Sequence, residues 1–344
     1  RFSEFPKPNL THTPMITVQS YPIAILMCVI TMICWGSWGN TQKLASKSWR
    51  FQLFYWDYAI GVLLFSLILA FTMGSMGEGG RGFLADVSQA DSQWITSALI
   101  GGVVFNISNI LLVVAIDIAG LAVAFPIGVG LALAVGVITT YMATGQGNVP
   151  MLAIGVALVV VAIILDAVAY GKLQKASGGQ SKSSAKGIII SIIAGLLMGF
   201  FYKYVAQAMG SYDATTGVLE AGKLSPYTAV VFFSLGLFLS NFVFNTIMMV
   251  KPLSGEPVGL TDYFTKGNLR VHSVGILGGM IWSCGMNFNI IAAPAADPAL
   301  AYGLGQGATL VSALWGVFIW KEFKNAPPGT NKILGLMFLF FIIG

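Results

Sequence analysis

The sequence predicts an all-α membrane protein of ten transmembrane helices, arranged as an inverted repeat of five plus five. Three observations carry this. Hydrophobic residues make up 56% of the 344 positions and charged residues only 9%, with a mean hydropathy of +0.81, whereas a soluble domain carries about 25% charged residues. Apolar stretches of roughly twenty residues, long enough to cross about 30 Å of hydrocarbon as a helix, recur almost without pause from Tyr21 to Gly344. The stretch starting at Gly101 can also be laid on that starting at Gly278 with an insertion of three residues, so that Asn109 meets Asn289, Asp117 meets Asp297 and Gly136 meets Gly316.

The first element, 1–20, is polar and lacks the charged-then-apolar order of a signal peptide; opening on Arg1 rather than Met, it is expected to be trimmed. Its Asn9-Leu10-Thr11 triplet matches a glycosylation acceptor that matters only in a secretory setting. Spans follow at 21–44, 52–73, 94–117, 120–143 and 150–171, which make 21–171 the first five-helix repeat. The Gly/Ser/Lys-rich stretch 172–186 reads as a flexible cytoplasmic linker. The second repeat, 187–344, has spans at 187–209, 226–250, 270–293, 297–320 and 331–344, the last too short to cross and expected to continue beyond Gly344.

An odd number of spans per repeat sets the halves upside down relative to each other, the symmetry that lets a transporter alternate its access. The basic residues set the orientation. Thirteen of them, among them Lys43, Arg50, Lys172, Lys251, Arg270 and Lys321, fall on one side, against Arg1, Lys7, Arg81 and Lys223 on the other and Lys203 within a span. The crowded side is the cytoplasm in this reading, both termini are external, and the protein is a multi-pass protein of the plasma membrane, or of the inner membrane in a bacterium. The net charge of +5 lies in connections rather than in a stripe, which excludes nucleic acid as a partner and leaves membrane lipid. Cys28, Cys34 and Cys284 lie within spans without CxxC spacing, so neither a disulfide framework nor a metal site is expected.

A polar solute in a bilayer needs amide, hydroxyl or aromatic groups turned into a shared cavity, because lipid offers no hydrogen bonds. Trp35, Trp38, Asn106, Asn109, Trp282, Asn287, Asn289 and Gln306 all lie toward mid-depth and are the expected contacts, joined by Tyr202 and Lys203 on span six. For each amide the competing role is to bridge helices. Glycines such as Gly36, Gly128 and Gly305 let helices approach, and Pro126 frees a carbonyl and bends its helix near the site. Ionisable groups within spans are costly and so informative. Asp57, Asp166 and Lys203 are the candidates for ion coupling, whereas Asp117, Asp297 and Glu322 at span ends suit capping or gate-forming ion pairs. An enzyme is not expected, since His12 and His272 are the only histidines and no catalytic motif is present; nor is a cofactor.

Several short motifs resemble the ureide permeases. Trp56-Asp57-Tyr58 with Leu63-Leu64 on span two, Pro226-Tyr227-Thr228-Ala229 opening span seven, and Val311-Ser312 with Trp315-Gly316 and Glu322 on span nine are similar to that family's motifs, in the same span order. The resemblance implies the drug/metabolite transporter superfamily, which also holds glucose/ribose and rhamnose porters, and proton-coupled symport. Gly179-Gln180-Ser181-Lys182-Ser183 departs from the nucleotide-binding-like motif of the plant members' longer loop, and Lys203 stands where proline is expected. The expected function is secondary transport of a small neutral polar metabolite, a monosaccharide first, with a ureide or nucleobase as the alternative and a solute channel as the competing class.

Overall fold

The computed structural model describes residues 15–45, 49–176, 185–212 and 218–344, and among these the regular structure is helical. The glycosylation triplet at Asn9 and the Gly179–Ser183 motif lie outside the described residues. The helices are α1 (Tyr21–Ser37), α2 (Gly39–Leu44), α3 (Phe51–Phe71), α4 (Phe83–Gln89), α5 (Ser92–Ala119), α6 (Leu121–Thr144), α7 (Val149–Ala176), α8 (Ala185–Ala208), α9 (Pro226–Val250), α10 (Asp262–Thr265), α11 (Leu269–Ala296), α12 (Pro298–Gln306), α13 (Ala308–Leu314) with a π-helical turn at Trp315–Ile319, and α14 (Thr330–Ile343). Nine stretches among the described residues are long and apolar enough to cross a membrane, α1 with α2 forming one and α12 through the π-turn another; α14 is a shorter apolar helix of 14 residues. This is an all-α, multi-pass membrane protein.

The boundaries follow local chemistry. Ser225 accepts from the backbone N–H of Thr228 and Pro226 pre-sets the first turn of α9, while Asn268 caps α11 by accepting from Val271. Asp297 caps α12, accepting from Ala299 and Leu300 ahead of Pro298. This is the capping role its position suggested.

Most of the packing pairs are exchanged when each span is swapped for the one five further on, the α6–α7 contact being an exception. Helix α5 packs on α8 as α11 packs on α1, α3 on α11 as α9 on α5, and α6 on α8 as α12 and α13 on α1; α3 with α9, α6 with α12, and α7 with α14 meet their own counterparts. The tightest contacts repeat too. A Cβ at Gly102 would overlap the Phe233 carbonyl and one at Gly236 the Leu99 carbonyl, just as Gly279 abuts the Tyr58 carbonyl and Gly61 that of Ile276. In each pair two glycines let helices touch backbone to backbone, as small residues do in membranes.

This register corrects the sequence alignment. Helices α5 and α11 both have 28 residues and end on positive-φ residues, Gly120 at 82° and Asp297 at 84°. They correspond end to end without a gap. The three-residue insertion therefore falls after them, and neither Asn109 with Asn289 nor Asp117 with Asp297 is a symmetry pair.

Candidate functional site

A cavity of about 390 Å³ lies between the halves, lined from α1, α2, α5, α6, α7, α8, α11, α12, α13, the π-turn and the turn after it. Its floor is aromatic. Trp35 and Trp282 lie nearly parallel, 12° between planes with centroids 5.8 Å apart, and the Trp35 indole donates to the Trp282 carbonyl at 3.2 Å. Phe105 packs on Trp282 at 4.6 Å, with Phe201 and Phe233 behind. Gly305 makes room for Trp35, since a Cβ there would come within 2.7 Å of the indole ring. Pro126, inside α6, sits beside the lining residue Phe125.

Polar groups stand around this floor. Asn109 lines the cavity while donating to the Tyr55 hydroxyl at 3.2 Å, and Gln306, Thr309 and Ser312 line the opposite wall. Asp166 on α7 faces the cavity with no hydrogen bond or ion pair among the described residues, and its Oδ1 is fully buried. One turn on, Tyr170 donates to Glu322 at 2.8 Å, and the other Glu322 oxygen receives Lys43 at 2.8 Å. That chain ties α2, α7 and the end of span nine across the exposed mouth, where Trp320 lies beneath the Lys43 ammonium at 5.1 Å. Two unusual backbone features place Glu322 there: the π-turn at Trp315–Ile319 and Lys321 at φ 53°. Gly316 leaves the gap, because a Cβ would crowd the Tyr170 hydroxyl at 2.8 Å.

At the opposite end the chain is sealed. Asp86, fully buried, accepts from Arg81 at 2.9 Å and from the Ser225 backbone at 2.7 Å, and Arg81 also donates to the carbonyls of Glu220 and Lys223. The connection before α5 is thus bound to the one before α9. The cavity's polar end, among the described residues, lies on the side of Lys43.

Of the ten residues expected to contact solute, the cavity brings together Trp35, Trp38, Asn109, Trp282 and Gln306. Five point elsewhere. Asn106 donates to Ser240 on α9 at 2.9 Å, Asn287 donates back to Ser283, and Asn289 accepts from Tyr202 at 2.6 Å while donating to the Ala301 carbonyl at 2.7 Å. Asn106 and Asn289 bridge helices, while Asn287 bonds the preceding turn of its own helix. Lys203 lies on the partly exposed face of α8, its ammonium 5.0 Å from the Phe200 ring and 5.2 Å from that of Tyr204, so it does not face the central cavity. Its neighbour Tyr202 turns inward because residues adjacent on a helix do not share a face. Lys203→Gln is accordingly expected to leave uptake within about twofold of wild type at matched membrane levels, the range of a surface change, and a large loss would place the ammonium in the cycle after all. Of the remaining coupling candidates, Asp166 lines the cavity and Asp57 does not. Residues that sequence reasoning passed over at the site are Lys43, Tyr170 and Thr309, near span ends or of types too common to stand out.

With this geometry in view, the comparisons are decisive. The ureide permease family model matches residues 54–177 and 172–344. The chain belongs to the ureide permease family. Two members from Arabidopsis thaliana show how far the similarity runs: Ureide permease 1 is 25% identical over 383 residues, covering 96% of this chain and 97% of its own, and Ureide permease 5 is 24% identical over 391, covering 95% and 93%. A solved crystal structure shares the fold, with a TM-score of 0.57 at 15% identity over 94% of this chain and 96% of the other. Within the ureide permease family the recognised motifs gain physical meaning. Tyr58 of the Trp56-Asp57-Tyr58 motif packs on Trp38 at 4.8 Å, and Ser312, Trp315 and Glu322 all line the cavity. Membership makes the protein a membrane transporter of a small polar solute.

Proposed function

We propose that the protein is a permease for a neutral, planar, N–H-rich solute of the ureide or nucleobase class, carried by alternating access with a proton. The observation that carries this reading is the cavity itself. Parallel indoles suit a flat ring, the Gln306 amide with Asn109 both donates and accepts, and the Asp166 carboxylate, unpaired among the described residues, accepts N–H groups. A volume of about 390 Å³ lies in the range of small-molecule sites. The names of the relatives favour the same class.

The sequence favoured a monosaccharide because its mid-depth set of Trp, Asn, Gln and Lys residues suits a hydroxyl-rich ring. With Asn106, Asn287, Asn289, Tyr202 and Lys203 turned away, the hydroxyl-binding capacity that supported a sugar is largely gone. In the orientation favoured by the lysines, the mouth at Lys43 opens to the cytoplasm, and the Arg81–Asp86 seal closes the outside.

The test is a thermal-shift and calorimetric panel on purified protein with allantoin, uracil, a hexose and a pentose. Stabilisation by the ureide or nucleobase is expected, and Asp166→Asn should weaken it by about 1.5–3 kcal/mol, roughly ten- to hundredfold in Kd, as for a lost hydrogen bond to a charged group. Stabilisation by the hexose or pentose alone would overturn the reading.

A further inference from the structure

A second titratable cluster lies outside the cavity, on the side of its mouth. Asp57, one and a half turns into α3, is fully buried. Its Oδ1 accepts from the Tyr263 hydroxyl on α10 and from His272 Nδ1 at 2.9 Å at the start of α11, while its Oδ2 is buried with no hydrogen-bond partner within reach among the described residues. The histidine is held by Tyr263, with ring centroids 4.6 Å apart, and by Trp49, edge-on at 5.1 Å. Gly275 clears the space, because a Cβ there would run into that of Asp57. His272 keeps 26% of its side chain exposed, so one ring edge reaches water while the other bonds a carboxylate that water does not reach.

We propose that Asp57, His272 and Tyr263 form a proton-binding site separate from the solute cavity, and that loading and unloading it clamps and frees the 251–268 connection between α9 and α11. The proton balance is simple. In the loaded state His272 is an imidazolium, Nδ1–H donates to the Asp57 carboxylate, and the pair is neutral. Loss of one proton from Nε2 to water leaves a neutral imidazole that still donates through Nδ1 and a buried carboxylate with no countercharge. A buried ion that loses its partner is strongly destabilising, so the unloaded site is driven to open and hydrate Asp57. Burial and the Asp57 carboxylate both raise the Tyr263 phenol above its ordinary value, which keeps it a donor throughout.

Among the described residues, the titratable groups bonded to Asp57 are Tyr263 from α10 and His272 from α11. Lys266 is engaged with Asp262, and α9 presents only Asn245 and Met249 to the bonds at this end of α3. The link to the cavity is short. Tyr58, next in sequence to Asp57, packs on Trp38 at 4.8 Å and lies 6.1 Å from Trp282, and α11 itself carries both His272 and Trp282. Opening the clamp moves the helix that forms the cavity floor.

The coupling role rests on the permease reading, so the experiment has two arms. The first needs no solute. Trp49 fluorescence, isolated as the difference between the protein and its Trp49→Phe variant in nanodiscs, should show a pH-dependent transition that is absent in His272→Gln. Persistence of that transition in His272→Gln, or its absence from the wild-type difference, would overturn the proton site. The second arm uses proteoliposomes. Asp57→Asn and His272→Gln should keep solute binding and counterflow yet lose the accumulation driven by an imposed pH gradient, about tenfold for one unit and one proton. Tyr263→Phe, a milder change, stands in if Asp57→Asn fails to fold and should shift that accumulation in the same direction. Wild-type accumulation in the variants would overturn the coupling. A wild-type protein that binds no panel solute but shows the His272-dependent transition would sink the permease reading and leave the proton site standing.

Discussion

Trp282→Ala is expected to abolish measurable solute binding and to lower stability. The indole is 4% exposed and is the hub of the floor, in contact with Trp35, Tyr58, Phe105 and Phe233 at centroid distances of 4.6 to 6.1 Å. Truncating a buried aromatic costs about 3–5 kcal/mol through lost contacts and the cavity left behind. It would also release Trp35 from the stacked position in which it faces the solute. A titration of purified Trp282→Ala against the best ligand of the panel should show no saturation, whereas Trp282→Phe should retain binding with weakened affinity. If the alanine variant binds like wild type, the aromatic floor is not the solute site.

Gly279→Leu should prevent the protein from reaching a monodisperse folded state. The position backs directly on the Tyr58 carbonyl and the Val62 amide, so even a Cβ has no room, and both neighbours are backbone that cannot turn away. Overpacking a close-packed interior costs typically about 1–3 kcal/mol when side chains can yield; against helical backbone it forces α3 and α11 apart. The equivalent substitution, Gly102→Leu, should act alike at the α5–α9 contact against the Phe233 carbonyl. Gly130, whose added Cβ would meet nothing, is the control and should tolerate alanine. Size-exclusion profiles and melting temperatures of the three variants decide the matter; folded, wild-type-like Gly279→Leu would mean that these glycines do not set the helix spacing.

Much of this protein was legible before any coordinates. A hydropathy of +0.81 with 9% charged residues leaves the bilayer as the only solvent for the chain, and in that solvent the backbone must close its own hydrogen bonds as helices. Glycine pairs at 101–102 and 278–279 marked the repeat, and Asp297 at a span end suited either a cap or a gate-forming ion pair. Depth within a span was legible as well, which is why Trp35, Trp38, Asn109, Trp282 and Gln306 could be placed near a common level.

What sequence could not supply was the direction each side chain faces. In a soluble protein the apolar stripe of a helix points to the core, but lipid is as apolar as Leu, so the outer face of a span carries no contrasting signal. Lys203 and Tyr202 are adjacent and equally deep, yet one lies against Phe200 and Tyr204 at the surface and the other is sealed against Asn289. Asn106, Asn287 and Asn289 read as solute contacts until their partners on other turns and helices were seen. His272, set aside in the absence of a catalytic motif, meets Asp57 across 215 positions of sequence. The chain by itself thus determined the solvent, the helices, their number to within a span and the internal duplication, because these follow from local composition and period. Tertiary packing alone decided which polar groups share a cavity, which only bridge helices and where a buried carboxylate finds its histidine, because those depend on the rotation of each helix about its axis, and a uniform apolar surround leaves that rotation unwritten in the sequence.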